Sequence, residues 1–176
     1  AGAAVALPGR GPLWRIDDLA LPERGVIGVT GANGSGKTTL ARLVLGLLRC
    51  RGARLEIDGR RRRRRARRRR CAYVMQDVDY QLVAESVLAE LLDASAPSAQ
   101  GRERAEALLE RVGLTGLADR HPLTLSGGQK QRLGIALACM KRARVVCLDE
   151  PTSGLDAAGM RRVAALLREM ADDGAL

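Results

Sequence analysis

Gly31-Ala32-Asn33-Gly34-Ser35-Gly36-Lys37-Thr38 is the stretch that decides the fold of this chain. It fits the pattern G-x-x-x-x-G-K-[ST], in which glycines let backbone N–H groups turn towards an anion with no Cβ in the way. Before it, Val26, Ile27, Val29 and Thr30 form a β-branched run expected to be a buried parallel strand. After it, Leu40, Leu43, Val44 and Leu47 recur at helical spacing and predict an amphipathic helix. An anion held by the loop then sits at a helix N-terminus, where orphan N–H groups and the helix dipole favour negative charge. In such a loop Lys37 reaches the β- and γ-phosphates and the Thr38 hydroxyl ligates Mg²⁺. A glycine-rich turn that matches by chance is the competing reading. The strand-then-helix setting argues against it, and so does the lysine count: the chain has only three, and one falls on the required position.

A second half of the site lies downstream. Val145-Val146-Cys147-Leu148 is an apolar run ending in Asp149-Glu150, which places two carboxylates at the carboxyl end of a strand, where ligands of open α/β sheets bind. Asp149 is a candidate Mg²⁺ ligand and Glu150 a candidate general base for an attacking water. Alone, the run could equally be a strand ending in a solvated acidic turn. Between the two halves, Ser126-Gly127-Gly128-Gln129 opens a helix, with Ser126 as N-cap and Leu133, Leu137 and Met140 at helical spacing. Two glycines in a first turn cost about 1 kcal/mol each relative to alanine. Close approach of a phosphate would offset that cost; a flexible loop-to-helix junction is the alternative.

With Leu125–Gln129 lying between the other two motifs, the chain resembles the ATP-binding-cassette ATPases over most of its length. Tyr73-Val74-Met75-Gln76 is similar to that family's Q-loop, and Ser153-Gly154-Leu155-Asp156 to its D-loop. The resemblance implies ATP and Mg²⁺ as cofactors and a head-to-tail dimer of cassettes. It assigns nucleotide contacts to Gly31, Asn33, Gly34, Ser35, Gly36, Lys37, Thr38 and Thr39, and to Ser126, Gly127 and Gly128 across the dimer, with Gln129 and Asp156 also at the nucleotide. Mg²⁺ falls to Thr38, Gln76 and Asp149, and catalysis to Glu150, Gln76 and Lys37. Met75 to Val83, with Glu85-Ser86-Val87 following, resembles the energy-coupling-factor and cobalt/nickel-uptake subfamily, as does His121-Pro122. Val83 stands where that group usually has an aromatic residue. The implied role is the ATPase of a prokaryotic vitamin or metal-ion importer, peripheral on the cytoplasmic face and docked to a membrane-embedded subunit. Two other readings stay open: a soluble cassette ATPase acting on nucleic acid or ribosomes, and a truncated nucleotide-binding fragment that does not cycle.

The expected fold class is α/β, a P-loop NTPase core with a mostly parallel sheet and an inserted helical subdomain. Residues 1–77 form the first part of the core, 78–142 the helical subdomain, and 143–176 the second part, expected to be truncated before the family's switch histidine. Slow or absent hydrolysis by this chain alone is the corresponding expectation. Helices are predicted over Val83–Leu92, Arg102–Val112 and Ser126–Lys141, and around Met160, Val163, Ala164, Leu166 and Leu167. Trp14, upstream of the loop, is read as a core residue before adenine stacking is considered.

A net charge of +10 on 176 residues first suggests nucleic acid. The whole excess sits in Arg60–Arg65 and Arg67–Arg70, so the rest of the domain is neutral. Like charges in a block repel, and the tract is expected to be a solvated surface segment. Attraction to an anionic membrane face is a second reading and nucleic acid a third. No aromatic residue interleaves with the arginines, so base stacking is unsupported. Cys50, Cys71, Cys139 and Cys147 show no metal or disulfide spacing, and Cys139 and Cys147 read as small buried hydrophobes. No run reaches the ~20 apolar residues of a membrane span, and no signal peptide is evident. His121, the only histidine, reads as a loop residue.

Overall fold

Two parallel strands hold the centre of the molecule. In the computed structural model, which describes residues 3–6, 12–16, 19–50, 54–95 and 98–176, β5 (Cys71–Val74) pairs with β6 (Val145–Leu148) from Cys71↔Val145 to Val74↔Leu148. Two antiparallel pairs precede them: β1 (Ala3–Ala6) with β2 (Pro12–Ile16), and β3 (Glu56–Ile57) with β4 (Arg60–Arg61). The β3–β4 turn is Asp58-Gly59, both at positive φ, the geometry that Asp-Gly hairpins favour. The side chain of Trp14 lies outside the described residues.

Helices supply most of the rest: α1 (Lys37–Val44), α2 (Arg64–Arg70), α3 (Val87–Asp93), α4 (Ala99–Val112), α5 (Gly127–Met140) and α6 (Ala157–Asp172). Their starts follow local chemistry. Ser86, Ser98, Ser126 and Asp156 each accept a bond from a first-turn N–H, caps typically worth about 1 kcal/mol. Ser126 and Gln129 form a reciprocal capping box, with Gln129 Oε1 accepting the Ser126 N–H at 2.8 Å. α5 is the hub, packing on α3, α4, α6 and β5. Leu133 and Ile135 of α5 are fully buried with Val87, Leu91, Leu109 and Val112, each such side chain contributing roughly 1.5–3 kcal/mol by leaving water.

Three expectations need correction. Val26–Thr30 is no strand: the segment has no ladder partner among the described residues, and Val26 and Val29 are 64% and 56% exposed. Its neighbour is Ala175, whose carbonyl takes the Gly25 N–H at 3.1 Å, while Leu176 exchanges backbone bonds with Arg144 and Val146 at the edge of β6. Val26–Thr30 itself pairs with none of the described strands, and β-propensity expresses itself only against a pleated surface.

The arginine tract is also ordered, as β4 and α2. Arg64 donates to Gly46 O and Leu47 O at 3.0 Å each, and the buried Arg67 donates to Leu43 O and Val44 O at 2.5 and 3.3 Å. The carbonyls where α1 ends are orphan acceptors at the negative pole of its dipole, and guanidinium forks meet them. Leu47, read as part of α1, lies beyond the helix end and is 48% exposed.

Candidate functional site

The phosphate-loop residues Gly31–Ser35 form an exposed loop closed by a Ser35 N–H to Ala32 O bond of 3.2 Å. Gly36 ends it at φ 96°, a left-handed conformation unfavourable for any residue with a Cβ, and acts as N-cap of α1. Lys37, Thr38 and Thr39 therefore occupy the first turn of α1, beside its orphan N–H groups. The Lys37 ammonium donates back to Gly31 O at 2.8 Å and Ala32 O at 3.0 Å, holding it over the loop.

The strand ends bring the second half into contact with the first. Thr38 Oγ1 donates to Asp149 Oδ2 at 2.8 Å, and Gln76 Nε2 donates to Glu150 Oε2 at 3.0 Å. Asp149 is fixed through its backbone by a 2.9 Å bond to Val74 O, which continues the β5–β6 ladder. Glu150 is exposed at φ 50°, a left-handed conformation costing about 1–3 kcal/mol for a non-glycine residue, and its carbonyl accepts the Ser153 N–H in the turn that follows.

Two residues not singled out as site residues complete the arrangement. Tyr73 Oη donates to Asp149 Oδ2 at 3.0 Å, so this oxygen accepts from both Tyr73 and Thr38. Burial pushes the Tyr73 phenol up, and its bond to the Asp149 carboxylate pushes it further. Gln81 bridges the exit from β5, with Nε2 donating to Tyr73 O at 2.7 Å and Oε1 accepting the Met75 N–H at 2.9 Å. The Gln81-Leu82 pair was visible in the sequence as a subfamily mark, though without this role. Tyr73 carried no sequence signal for Asp149, because the contact depends on the strand register.

The signature residues belong to a different neighbourhood. Among the described residues, the hydrogen bonds and close approaches given for Ser126–Gln129 run within α5 and its cap and to the Gly154–Leu155 turn, none to Gly31–Thr39. A Cβ on Gly128 would stand 2.6 Å from Gly154 O, whereas nothing lies within 4 Å of one on Gly127. The chain's own backbone thus accounts for the second glycine, and Gly127 is open to an approaching ligand. Asp156 Oδ1 accepts the Gly159 N–H at 2.6 Å as the cap of α6. His121 Nδ1 accepts the Leu123 N–H in a short 3-10 turn, a loop role as expected.

The donor set suits a hard cation that keeps most of its shell elsewhere. Thr38, Asp149 and Gln76 offer oxygens, and no group of three or more His, Cys, Asp or Glu side chains among the described residues could hold a metal alone. Mg²⁺ bound with phosphates is held in this way, by one or two protein groups and the phosphate oxygens.

Comparison with known proteins gives the family. The family model for the ABC transporter matches residues 15–153. A putative ABC transporter ATP-binding protein of Treponema denticola is 39% identical over 164 residues, covering 90% of this chain and 32% of that protein. The energy-coupling factor transporter ATP-binding protein EcfA1 of Thermotoga maritima is 38% identical over 150 residues, covering 83% of this chain and 58% of that protein. The solved structure of cbiO1 from Clostridium perfringens, part of the ABC transporter complex cbiONQ, superposes with a TM-score of 0.81 at 29% identity, over 98% of this chain and 72% of that one. The chain spans about a third to two thirds of the length of the curated relatives it matches. With its phosphate loop, Asp149-Glu150 strand end and signature helix on an α/β core, the chain belongs to the ABC transporter family of ATPases and resembles its energy-coupling-factor and cobalt-uptake branch.

Proposed function

We propose that this chain binds ATP with Mg²⁺ and hydrolyses it to drive a membrane transporter that takes up a micronutrient, a vitamin or a transition-metal ion. The convergence of Thr38, Asp149, Gln76 and Glu150 at the end of the β5–β6 pair carries the reading. Lys37 and the N–H groups of the loop hold and orient the phosphates, while Thr38 and Asp149 hold the metal ion. Mg²⁺, when bound, neutralises charge on the phosphate oxygens. Glu150 accepts a proton from the attacking water as that oxygen bonds the γ-phosphorus, and the bond to the β–γ bridging oxygen breaks. Gln76, bonded to Glu150, positions that carboxylate and links it to the segment after β5.

Because Ser126–Gly128 make no hydrogen bond to the chain's own phosphate loop among the described residues, a second cassette in head-to-tail orientation supplies them to each nucleotide. Residues 1–77 and 143–176 act as the nucleotide core, and the helical segment 78–142 with Gln76 receives the membrane subunit at its cytoplasmic face. No described helix is long and apolar enough to cross a membrane, which leaves the spanning role to a partner. The Thermotoga maritima and Clostridium perfringens relatives, both transporter components, support the assignment.

Equilibrium binding of a fluorescent ATP analogue, with and without Mg²⁺, tests the reading. Binding that Mg²⁺ strengthens, and that Thr38→Ala uncouples from Mg²⁺, is the expected result. A chain that binds no nucleotide under either condition ends it.

A further inference from the structure

The arginine tract divides into two sets. Arg64 and Arg67 bind the carbonyls at the end of α1, Arg62 donates to Ile57 O, and Arg70 pairs with Asp58. Arg60, Arg61, Arg63, Arg65, Arg68 and Arg69 are exposed, and none has a side-chain hydrogen bond or ion pair among the described residues. On α2 the spacing of Arg65, Arg68 and Arg69 is i, i+3, i+4, which puts them in one exposed stripe, with Arg68 also one turn from Arg64. Like charges so spaced repel, and the tract carries no acidic residue to interrupt them.

The chemistry of this face narrows its partner. It has no apolar residue to form the dry centre of a protein interface and no aromatic ring to stack a base. It presents only guanidinium forks, which match phosphate oxygens two at a time. α2 runs straight into Cys71, the amino end of β5, whereas Asp149 and Glu150 follow the carboxyl end of β6. The face therefore lies at the opposite end of the sheet from the nucleotide site and stays accessible while that site is filled.

We propose that the exposed arginine face of β4 and α2 docks on an anionic lipid bilayer, holding the chain against the membrane through phosphate headgroups. The choice of a bilayer over other polyanions rests on the transporter reading, which puts such a surface beside the chain. Basic residues at an anionic surface each raise binding about fivefold.

Co-sedimentation of the full chain with neutral phosphatidylcholine vesicles, and with vesicles containing about one-third phosphatidylglycerol, tests this, the anionic charge being what attracts basic residues. The chain should partition onto the anionic vesicles only, and raising salt several-fold should release it as the Debye length shrinks. Arg65→Glu, Arg68→Glu and Arg69→Glu together should lower partitioning roughly a hundredfold or more, whereas lysine at the same three positions should keep it within about fivefold. Thermal melting checks that the charge-reversed chain is folded. Should it not fold, Arg65→Gln alone must still cost about fivefold. Equal binding to neutral vesicles, no binding to anionic ones, or unchanged binding by the folded charge-reversed chain overturns the proposal. So does random duplex DNA that displaces the chain from anionic vesicles at matched phosphate, which points to nucleic acid instead. Fluorescent ATP binding measured in the same samples keeps the two ideas apart. Lost vesicle binding with intact ATP binding removes the docking face alone, and lost ATP binding removes the nucleotide reading alone.

Discussion

Thr38 and Asp149, 111 residues apart, meet through a 2.8 Å bond from the threonine hydroxyl to Asp149 Oδ2. This contact joins the two halves of the phosphate site, one from the start of α1 and the other from the end of β6. Tyr73 shares the same carboxylate oxygen at 3.0 Å. Removing that donor separates positioning of Asp149 from nucleotide binding itself. Tyr73→Phe should leave ATP affinity without Mg²⁺ unchanged and weaken the Mg²⁺ requirement curve about threefold to tenfold, the scale of one hydrogen bond. A Mg²⁺ titration of nucleotide binding reads the effect, and an unchanged midpoint assigns Tyr73 to packing alone.

Lys37 is held over the loop by Gly31 O and Ala32 O, ready to exchange those carbonyls for phosphate oxygens. Lys37→Ala should weaken ATP binding at least tenfold, since a charge-assisted bond is worth about 1.5–3 kcal/mol. Titration calorimetry measures it directly, and a variant that binds as tightly as the wild type would contradict the phosphate role.

Glu150→Gln keeps the bond partner of Gln76 but removes the base. In a completed chain, ATP binding should persist while phosphate release falls by about a hundredfold or more, the usual weight of a general base. Light scattering should then show a dimer that requires ATP. A species that stays monomeric in saturating ATP would contradict the shared site.

The adjacent glycines of the signature helix should behave oppositely. Gly128→Ala drives a Cβ to 2.6 Å from Gly154 O and should destabilise the fold by about 1–3 kcal/mol. Gly127→Ala meets open space and gains helix propensity, up to about 1 kcal/mol. Thermal melting of the two variants distinguishes them, and equal shifts would show that the Gly154 contact does not matter.

Buried thiols set an alkaline limit. Burial pushes Cys71 and Cys139 up to about 11 and Cys147 up to about 12 from an ordinary value of 9.0. Because the folded values lie above the unfolded one, the neutral thiols favour the fold fully below about pH 9. That advantage is lost as pH rises through about 11 to 12. Tm should fall from pH 9 to 11, and Cys147→Ala should flatten the decline. A Tm independent of pH over that range would mean that the thiols ionise in the folded state as readily as in the unfolded one.

The sequence by itself determined the chemistry and the local pieces: the glycines and Lys37 of the loop, the Asp149-Glu150 strand end, the Ser126 cap and the helical spacing of α5. Each depends on residues near one another in the chain, so its physics is local. It also pointed to a phosphate site made of distant segments, though it could not show which atoms meet. Tertiary structure decided that: the β5–β6 register sets Tyr73 beside Asp149, and the first turn of α1 brings Thr38 to the same oxygen. It decided the fate of Val26–Thr30 as well, because a strand needs a neighbour and none of the described strands pairs with the run. The arginines were divided by the same kind of cause: Arg64 and Arg67 fold inward because α1 ends there with carbonyls unpaired, Arg62 and Arg70 find Ile57 O and Asp58, and the other six stay exposed.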